Sequence, residues 1–265
     1  MATQLWTHEQ IKLAFHLYCQ LPYGRIHGRN PEIMALAKVI GRTADAVAMK
    51  MLNIASIDPA ITSTGRVGLG NASALDRAVW DEFQADWERL AVECQLLRQK
   101  LDSNFDPEPA PENDALALED FTGKTRQVLT TQRIKQHFFR RAVLSSYRGR
   151  CCMSGLSDAR LLIASHIVPW SQDKANRLNP SNGLCLSALH DRAFDKGLIT
   201  LADDLTVILS HPVKQSDDAF VKAVLLPLSG QKIEPPERFS PLPAFIAWHR
   251  NSIFVDSQSK LGPTQ

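Results

Sequence analysis

Apolar side chains recur at a helical spacing along the first hundred residues of the chain. The pattern predicts four helices, at about residues 6–18, 32–40, 44–54 and 74–101. Thr7 and Thr43 stand at the start of the first and third, where a hydroxyl can accept a hydrogen bond from an early backbone N–H. Gly41 follows the second, where a helix commonly ends in the left-handed conformation. Residues 1–101 are therefore expected to form a helical domain.

Residues 102–120 interrupt this pattern. The stretch is rich in proline and acidic residues and carries few apolar side chains, so it is expected to be a linker that does not fold alone. A basic helix follows, and then short apolar runs that predict strands: LLIAS, GLITL and LTVILS, of which the last two form a hairpin. The chain as a whole is expected to be α+β, with a third segment over residues 121–265.

Composition narrows the class of protein. The chain of 265 residues is 44% hydrophobic and 22% charged, as is ordinary for a soluble globular protein. No apolar run approaches the roughly 18–20 residues that cross a bilayer, and the N-terminus lacks the apolar core of a signal peptide. We expect a cytoplasmic protein with no membrane partner. The cysteines do not suggest a disulfide framework, and the lack of a C-x2-C pair excludes a zinc ribbon.

The net charge of +2 conceals an uneven distribution. Every charged residue from 102 to 120 is acidic, and every charged residue from 121 to 157 is basic. Such a change of sign is typical of a solvated linker next to a polyanion-binding face, although surface charging explains a lone basic helix equally well. Phosphate contacts are expected from the basic residues of this segment, Lys124, Arg126, Arg133, Lys135, Arg140, Arg141 and Arg148.

Three polar residues between positions 150 and 200 suit phosphodiester hydrolysis. His166 ends a predicted strand, and Asn182 directly precedes the apolar run GLCL. His190 lies on a short predicted helix, SALHDRAFDKG. Hydrolysis needs a base that deprotonates water, a cation that stabilises charge, and a scaffold that holds both close together. A neutral imidazole suits the base, because its ordinary pKa lies close to 7.

The order strand, loop, strand, helix with His, Asn and His at these points resembles the ββα-metal finger of HNH endonucleases. The resemblance is closest to the branch described as restriction endonucleases. The matching residues are Ala164-Ser165-His166-Ile167, Pro169-Trp170, Asn182-Gly183, Leu189-His190 and Phe194-Asp195-Lys196-Gly197-Leu198-Ile199. An isolated H-N-H spacing is a weak signal, but these pieces in order are specific. The resemblance implies that residues 121–265 form an HNH nuclease domain with flanking helices and a small β-hairpin.

The resemblance also implies roles for individual residues. His166 would be the general base. Asn182 would brace the loop or orient the His166 ring through its side-chain amide. Each of these residues has an ordinary structural explanation on its own, since a histidine at a strand end usually satisfies local hydrogen bonds and an asparagine before an apolar run usually makes a turn. A purely structural explanation is weak only when it must account for all of these residues at once.

His190 would bind one divalent metal ion by the same resemblance. Asp195 is the next candidate ligand and Asp191 the one after it, because both are oxygen donors on the same helix. Many HNH enzymes have an acid or a second histidine just before the base, where this chain has Ser165. Mg²⁺ is the expected ion in cells, with Mn²⁺, Ni²⁺ or Zn²⁺ as alternatives. A structural zinc held by a histidine and three cysteines is a further alternative, and its cysteines would be Cys151, Cys152 and Cys185.

The N-terminal helices resemble helix-turn-helix modules of the Myb/SANT or sigma-like kind. In such modules the last helix lies in the major groove. Its exposed face would carry Asp45, Lys50 and Asn53, with Arg42 near the DNA backbone. A structural bundle or a dimerisation domain explains the same pattern equally well.

Taken together, the sequence predicts a metal-dependent HNH endonuclease that cuts double-stranded DNA, plausibly in restriction or defence. Two active sites are usual for duplex cleavage, so a homodimer is expected. One alternative is a DNA-binding regulator whose HNH finger has lost metal binding. Another is a nuclease that acts on RNA or on a particular nucleic-acid structure.

Overall fold

The structure is a computed structural model that describes residues 5–63, 65, 69–102 and 123–256, with the backbone alone over 123–130. The chain forms two compact units, Met1–Ser146 and Tyr147–Gln265. The predicted linker lies outside the described residues, apart from residue 102.

The first unit is helical, as predicted. Thr7 closes a capping box with Gln10 at the start of the first helix, Thr43 caps the third, and Gly41 ends the second at φ 67°. The helices are α1 His8–Gln20, α2 Pro31–Ile40, α3 Ala44–Ala55, α4 Pro59–Thr62, α5 Ala74–Ala85, α6 Trp87–Leu101 and α7 Gly123–Ser146.

The single long helix predicted over 74–101 is wrong. Asp86 interrupts it with φ −155° and separates α5 from α6. Its side chain accepts a hydrogen bond from the backbone N–H of Arg89, so the same residue ends one helix and caps the next. The apolar period continues across the break because both helices pack on α1.

The basic helix belongs to this first unit. In α7 the side chains of Phe138, Phe139, Ala142 and Val143 are buried, and the helix packs on α1 and α6. The Phe138 ring stacks on His16 of α1 with centroids 5.0 Å apart. The boundary between the units therefore lies after Ser146, whereas the sequence placed a domain boundary at residue 121. Although α7 directly precedes the second unit along the chain, it packs with the first unit because its apolar side chains are buried there.

The second unit combines two small sheets with helices, so the fold class is α+β. Strand β1 (Leu162–His166) pairs antiparallel with β2 (Gly183–Ser187), and helix α8 (Ala188–Asp195) follows β2 directly. Strands β3 (Ile199–Leu201) and β4 (Val207–Leu209) form the predicted hairpin. Helices α9 His211–Lys214, α10 Ala219–Val224 and α11 Pro243–Ser252 complete the unit.

Helix α11 anchors α8 through His249, which is 2% exposed. The His249 ring stacks on Phe194 with centroids 3.6 Å apart, and its Nε2–H donates to the Phe194 carbonyl oxygen at 3.1 Å. The hydroxyl of Thr200 donates to Nδ1 at 2.9 Å. Gly197 lies against the Ile253 carbonyl, at φ 68° and with no room for a Cβ. These contacts hold the C-terminal helix on the helix that carries His190.

Stability should fall on acidification because of His249. Burial lowers the pKa of His249 from 6.5 to about 4. As the pH falls from 6.5 towards 4, His249 becomes protonated in the unfolded chain but stays neutral in the folded chain. The free energy of unfolding therefore decreases. The full loss is about 3 kcal/mol. It is measured as the difference between wild type and His249→Gln in denaturant unfolding at several pH values. A difference that stays constant over this range would contradict the expectation.

Candidate active site

The strand pair and α8 bring the motif residues into one unit. His166 is the last residue of β1 and pairs with Gly183, the first residue of β2. Asn182 directly precedes β2 at the end of a short 3-10 helix. His190 lies in the first turn of α8, where the Ser187 hydroxyl caps its backbone N–H. Helix α8 contacts both strands, so the hairpin and the helix place all three residues.

His166 is held in one tautomer. Its Nε2 lies 2.9 Å from the carbonyl oxygen of Arg177. Because a carbonyl oxygen only accepts, Nε2 carries the proton, and in the neutral ring the lone pair is on Nδ1. The Trp170 ring meets the imidazole edge to face, with centroids 5.6 Å apart. Burial lowers the pKa of His166 below its ordinary 6.5, although the bond to Arg177 opposes the shift. The ring is therefore neutral at pH 7.

Asn182 braces the loop between the two strands. It is fully buried, and its Oδ1 accepts from the backbone N–H of Val168 at 2.8 Å. Its Nδ2 donates to the carbonyl oxygens of Val168 at 3.1 Å and Asn176 at 3.4 Å. These side-chain bonds all go to the backbone of the loop. The geometry therefore favours the first of the two predicted roles, loop bracing, over a direct bond to the His166 ring.

His190 has one nitrogen engaged and one without a partner. The residue is 3% exposed, and its Nδ1 lies 3.3 Å from the Cys151 thiol. Its Nε2 is buried and has no hydrogen-bond partner among the described residues. Burial raises the pKa of Cys151, but hydrogen bonds with His190 and Ser154 outweigh it and lower that pKa to about 6. The sequence indicated Cys151 only as a candidate ligand of a structural zinc, and its hydrogen bond with His190 was not predicted.

The remaining predicted metal ligands do not gather around His190. Within the described parts of the chain, no group of three or more His, Cys, Asp or Glu side chains is arranged to hold a metal ion. Asp191 and Asp195 are four apart and share one face of α8, whereas His190 turns towards Cys151. The three cysteines and the histidine of the alternative zinc site are likewise not among any such group in the described region. Ser165 is buried, and its Oγ has no partner in the described region.

The predicted phosphate contacts on α7 are partly occupied. The side chains of Lys124 and Arg126 lie outside the described residues. Lys135 forms a salt bridge with Glu88, and Arg141 forms one with Glu32. Arg133 and Arg140 are half-buried, and Arg148 lies beyond α7 within the second unit, where it pairs with Glu234 of the same unit. Acidic partners on neighbouring helices thus neutralise part of this face.

The predicted DNA-reading face of α3 is altered in the same way. Lys50 is 7% exposed, and its ammonium lies 2.9 Å from Asp76 of α5, so it is a buried structural cation and not a surface contact. The guanidinium of Arg42 donates to Gln10 at 3.0 Å and lies over the Trp6 ring. Asn53 is half-buried. The spacing along α3 identified a helical face, but other helices of the bundle cover part of it.

The comparison with known proteins agrees with the site. Residues 151–202 match a family model described as HNH endonuclease, and this segment contains His166, Asn182 and His190. The match suggests that the class of protein is a nuclease. Over this segment the chain is similar to the HNH endonuclease family, whose members typically use a divalent metal ion. No curated protein matches the chain. The match supports the predicted family over these residues, and its restriction branch stays a prediction.

None of the helices in the described part of the chain is both long enough and apolar enough to cross a bilayer.

Proposed function

We propose that the protein is a divalent-metal-dependent endonuclease that hydrolyses DNA, with His166 as the general base. The observation that carries the proposal is the bond from His166 Nε2 to the Arg177 carbonyl oxygen. It directs the ring so that Nδ1 is the nitrogen that takes a proton from the attacking water. The carbonyl also stabilises the imidazolium that forms, because it faces the N–H that becomes more acidic.

His190 is the proposed metal-binding residue. Its buried Nε2 has no partner among the described residues, and a buried nitrogen of this kind fits an imidazole ligand. When bound, the ion would stabilise negative charge on the phosphate and the leaving oxygen. Since no three-ligand cluster exists in the described region, phosphate oxygens and water would fill the other positions. An imidazole ligand favours Ni²⁺ or Zn²⁺, whereas Mg²⁺ is usually held through one or two carboxylates with phosphate oxygens and water.

The substrate and setting follow from the same proposal. Double-stranded DNA is the proposed substrate, and restriction or another form of defence is the proposed role. A homodimer would supply two sites for cutting both strands. Light scattering of the purified protein, with and without duplex DNA, tests the dimer.

The test of the proposed function is direct. Purified protein is incubated with supercoiled plasmid in Mg²⁺, Mn²⁺ or Ni²⁺, and in EDTA. Single-stranded DNA and structured RNA are offered in parallel. We expect nicked and linear plasmid in at least one metal and none in EDTA. Cleavage of RNA alone would move the substrate class to RNA, and cleavage that persists in EDTA would overturn metal dependence.

A second candidate is a DNA-binding regulator with an inactive finger. The observation that favours it is Ser165, which stands where many HNH enzymes have a metal ligand and whose hydroxyl cannot replace an ionised carboxylate. Retention of duplex DNA without cleavage in any metal would support this candidate and would exclude the endonuclease.

Removal of the His190 imidazole should weaken metal binding. We expect His190→Gln to bind Mn²⁺ more than about tenfold more weakly, a size typical of disrupted metal sites. The measurement is Mn²⁺ titration by electron paramagnetic resonance on the protein without DNA, which does not depend on activity. His211→Gln is the matched control, since His211 is exposed at the start of α9. Equal Mn²⁺ affinity for both variants would exclude His190 as a ligand.

A further inference from the structure

Arg177 has an unusual set of contacts in the loop between β1 and β2. Its backbone carbonyl accepts the bond from His166. Its side-chain Nε donates to the backbone carbonyl of Trp170 at 2.8 Å, and its guanidinium carbon lies 5.2 Å from the centre of the Trp170 ring. One hydrogen bond and one aromatic contact thus fix the orientation of the guanidinium. The positive charge is held in place before any substrate arrives.

The charge of Arg177 has no acidic partner in the described residues. Some other arginines of the second unit do form ion pairs, as Arg160 does with Asp158 at 2.6 Å and Arg250 with Asp203 at 2.7 Å. Arg177 is half-buried, and its contacts use only Nε and the face of the guanidinium. The two terminal nitrogens therefore keep their donors for an anion. Such a fork matches the geometry of two phosphate oxygens.

Trp170 places this charge close to the proposed base. The same indole ring contacts the His166 imidazole at its edge and the Arg177 guanidinium over its face. Asn182 braces the loop that carries both Trp170 and Arg177. A phosphate held by the guanidinium would therefore lie beside the imidazole that activates water.

We propose that Arg177 grips the scissile phosphate through its terminal guanidinium nitrogens and stabilises the charge that develops on it. This inference rests on the proposed nuclease function and adds a catalytic residue to it. A fixed cation needs no reorientation as charge develops, so its effect falls mainly on the chemical step. The backbone carbonyl of Arg177 orients the His166 ring, and its side chain would bind the phosphate.

The backbone role and the side-chain role can be separated by mutation, because substitution of Arg177 leaves its carbonyl in place. We expect Arg177→Gln to lower kcat by about 10²–10³-fold, as the loss of one transition-state donor does. The acidic limb of the rate–pH profile, which reports His166, should not move. Arg177→Lys should recover part of the rate, since it keeps the charge but loses the fork. Lys174→Gln, in the same loop at an exposed position, should leave kcat within about twofold.

A modified substrate tests the phosphate contact itself. A duplex with one uncharged methylphosphonate at the mapped cleavage position removes the negative charge that Arg177 would bind. The loss caused by Arg177→Gln should shrink on this substrate by at least about tenfold, because the two changes remove the same interaction. An equal loss on both substrates would overturn the proposal. So would a loss accompanied by a shifted acidic limb and a lower melting temperature, since those belong to a residue that only supports the loop.

Binding without catalysis distinguishes this inference from the proposed function. Duplex affinity is measured in EDTA over a range of salt for wild type and Arg177→Gln. A phosphate contact predicts that the variant's slope of log affinity against log salt is smaller by about 0.9. If Arg177→Gln reduces the salt-dependence slope but the wild-type protein cuts no substrate, the phosphate contact of Arg177 is supported and the nuclease function is rejected. If the wild type cleaves DNA and Arg177→Gln changes neither the slope nor kcat, the nuclease function is supported and the proposed role of Arg177 is rejected.

Discussion

His166→Ala is expected to lower the rate of DNA cleavage by about 10²–10⁴-fold, the usual contribution of a general base. The variant removes the only imidazole that the loop fixes against the Arg177 carbonyl, among the residues that the structure describes. The rate is measured under single-turnover conditions with saturating protein and metal, so that binding and product release do not enter. The fold should survive, since His166 stands at the end of β1 and its loss leaves the β1–β2 ladder intact.

Two further measurements separate a catalytic His166 from a structural one. Added imidazole should restore part of the activity of His166→Ala, and it should have no effect on His211→Ala, which changes an exposed histidine of the same unit. In the wild type, cleavage should decline as the pH falls through the lowered pKa of His166, below 6.5, because the imidazolium cannot accept a proton. Activity of His166→Ala equal to that of wild type would eliminate the proposed base.

Asn182→Ala is expected to destabilise the second unit by about 2–4 kcal/mol and to abolish most cleavage with it. The variant leaves the N–H and the carbonyl of Val168 without their partner in a fully buried position, and each such group costs about 1–3 kcal/mol. Cleavage should fall because the braced loop carries the Arg177 carbonyl that orients His166. The free energy of unfolding is measured by urea denaturation.

The neighbouring Asn179 provides the matched control. Its Oδ1 accepts from Ser181 at 3.0 Å at the start of the short 3-10 helix, and it is half-buried. Asn179→Ala should therefore cost about 1 kcal/mol, the typical loss of a cap, and leave most activity. Equal costs for the two variants would mean that Asn182 acts as an ordinary turn residue.

Local rules predicted most of the helical unit correctly. Thr7, Thr43 and Gly41 act as the caps that were predicted from their positions. Such signals are readable because capping involves atoms only two to four residues apart. The break at Asp86 was missed for a related reason: the apolar period continues on both sides of it, and the period carries more weight than one possible cap. The sequence therefore predicted that this segment is helical, but it did not predict that the segment divides into α5 and α6.

The sequence named the residues of the candidate site, but it did not name the groups that contact them. Family resemblance singled out His166, Asn182 and His190, and all three lie within residues 151–202, which match the family model. The partners are set by contacts between elements. Cys151 meets His190 across a separation of 39 residues, and the Arg177 backbone reaches His166 across 11. No periodicity or spacing specifies a contact made through a backbone carbonyl or a buried thiol.

The sequence by itself determined the order of the elements, their caps, and the histidine–asparagine–histidine pattern, because these depend on residues that are neighbours along the chain. Only the tertiary structure decided which charges are available. Lys50 is buried against Asp76, and Lys135 is paired with Glu88, so residues predicted to contact DNA contribute to the bundle instead. Arg177 keeps its charge without an acidic partner among the described residues. The physical reason is that packing selects ion pairs between elements, and a side chain's chemistry depends on the neighbour that packing assigns to it.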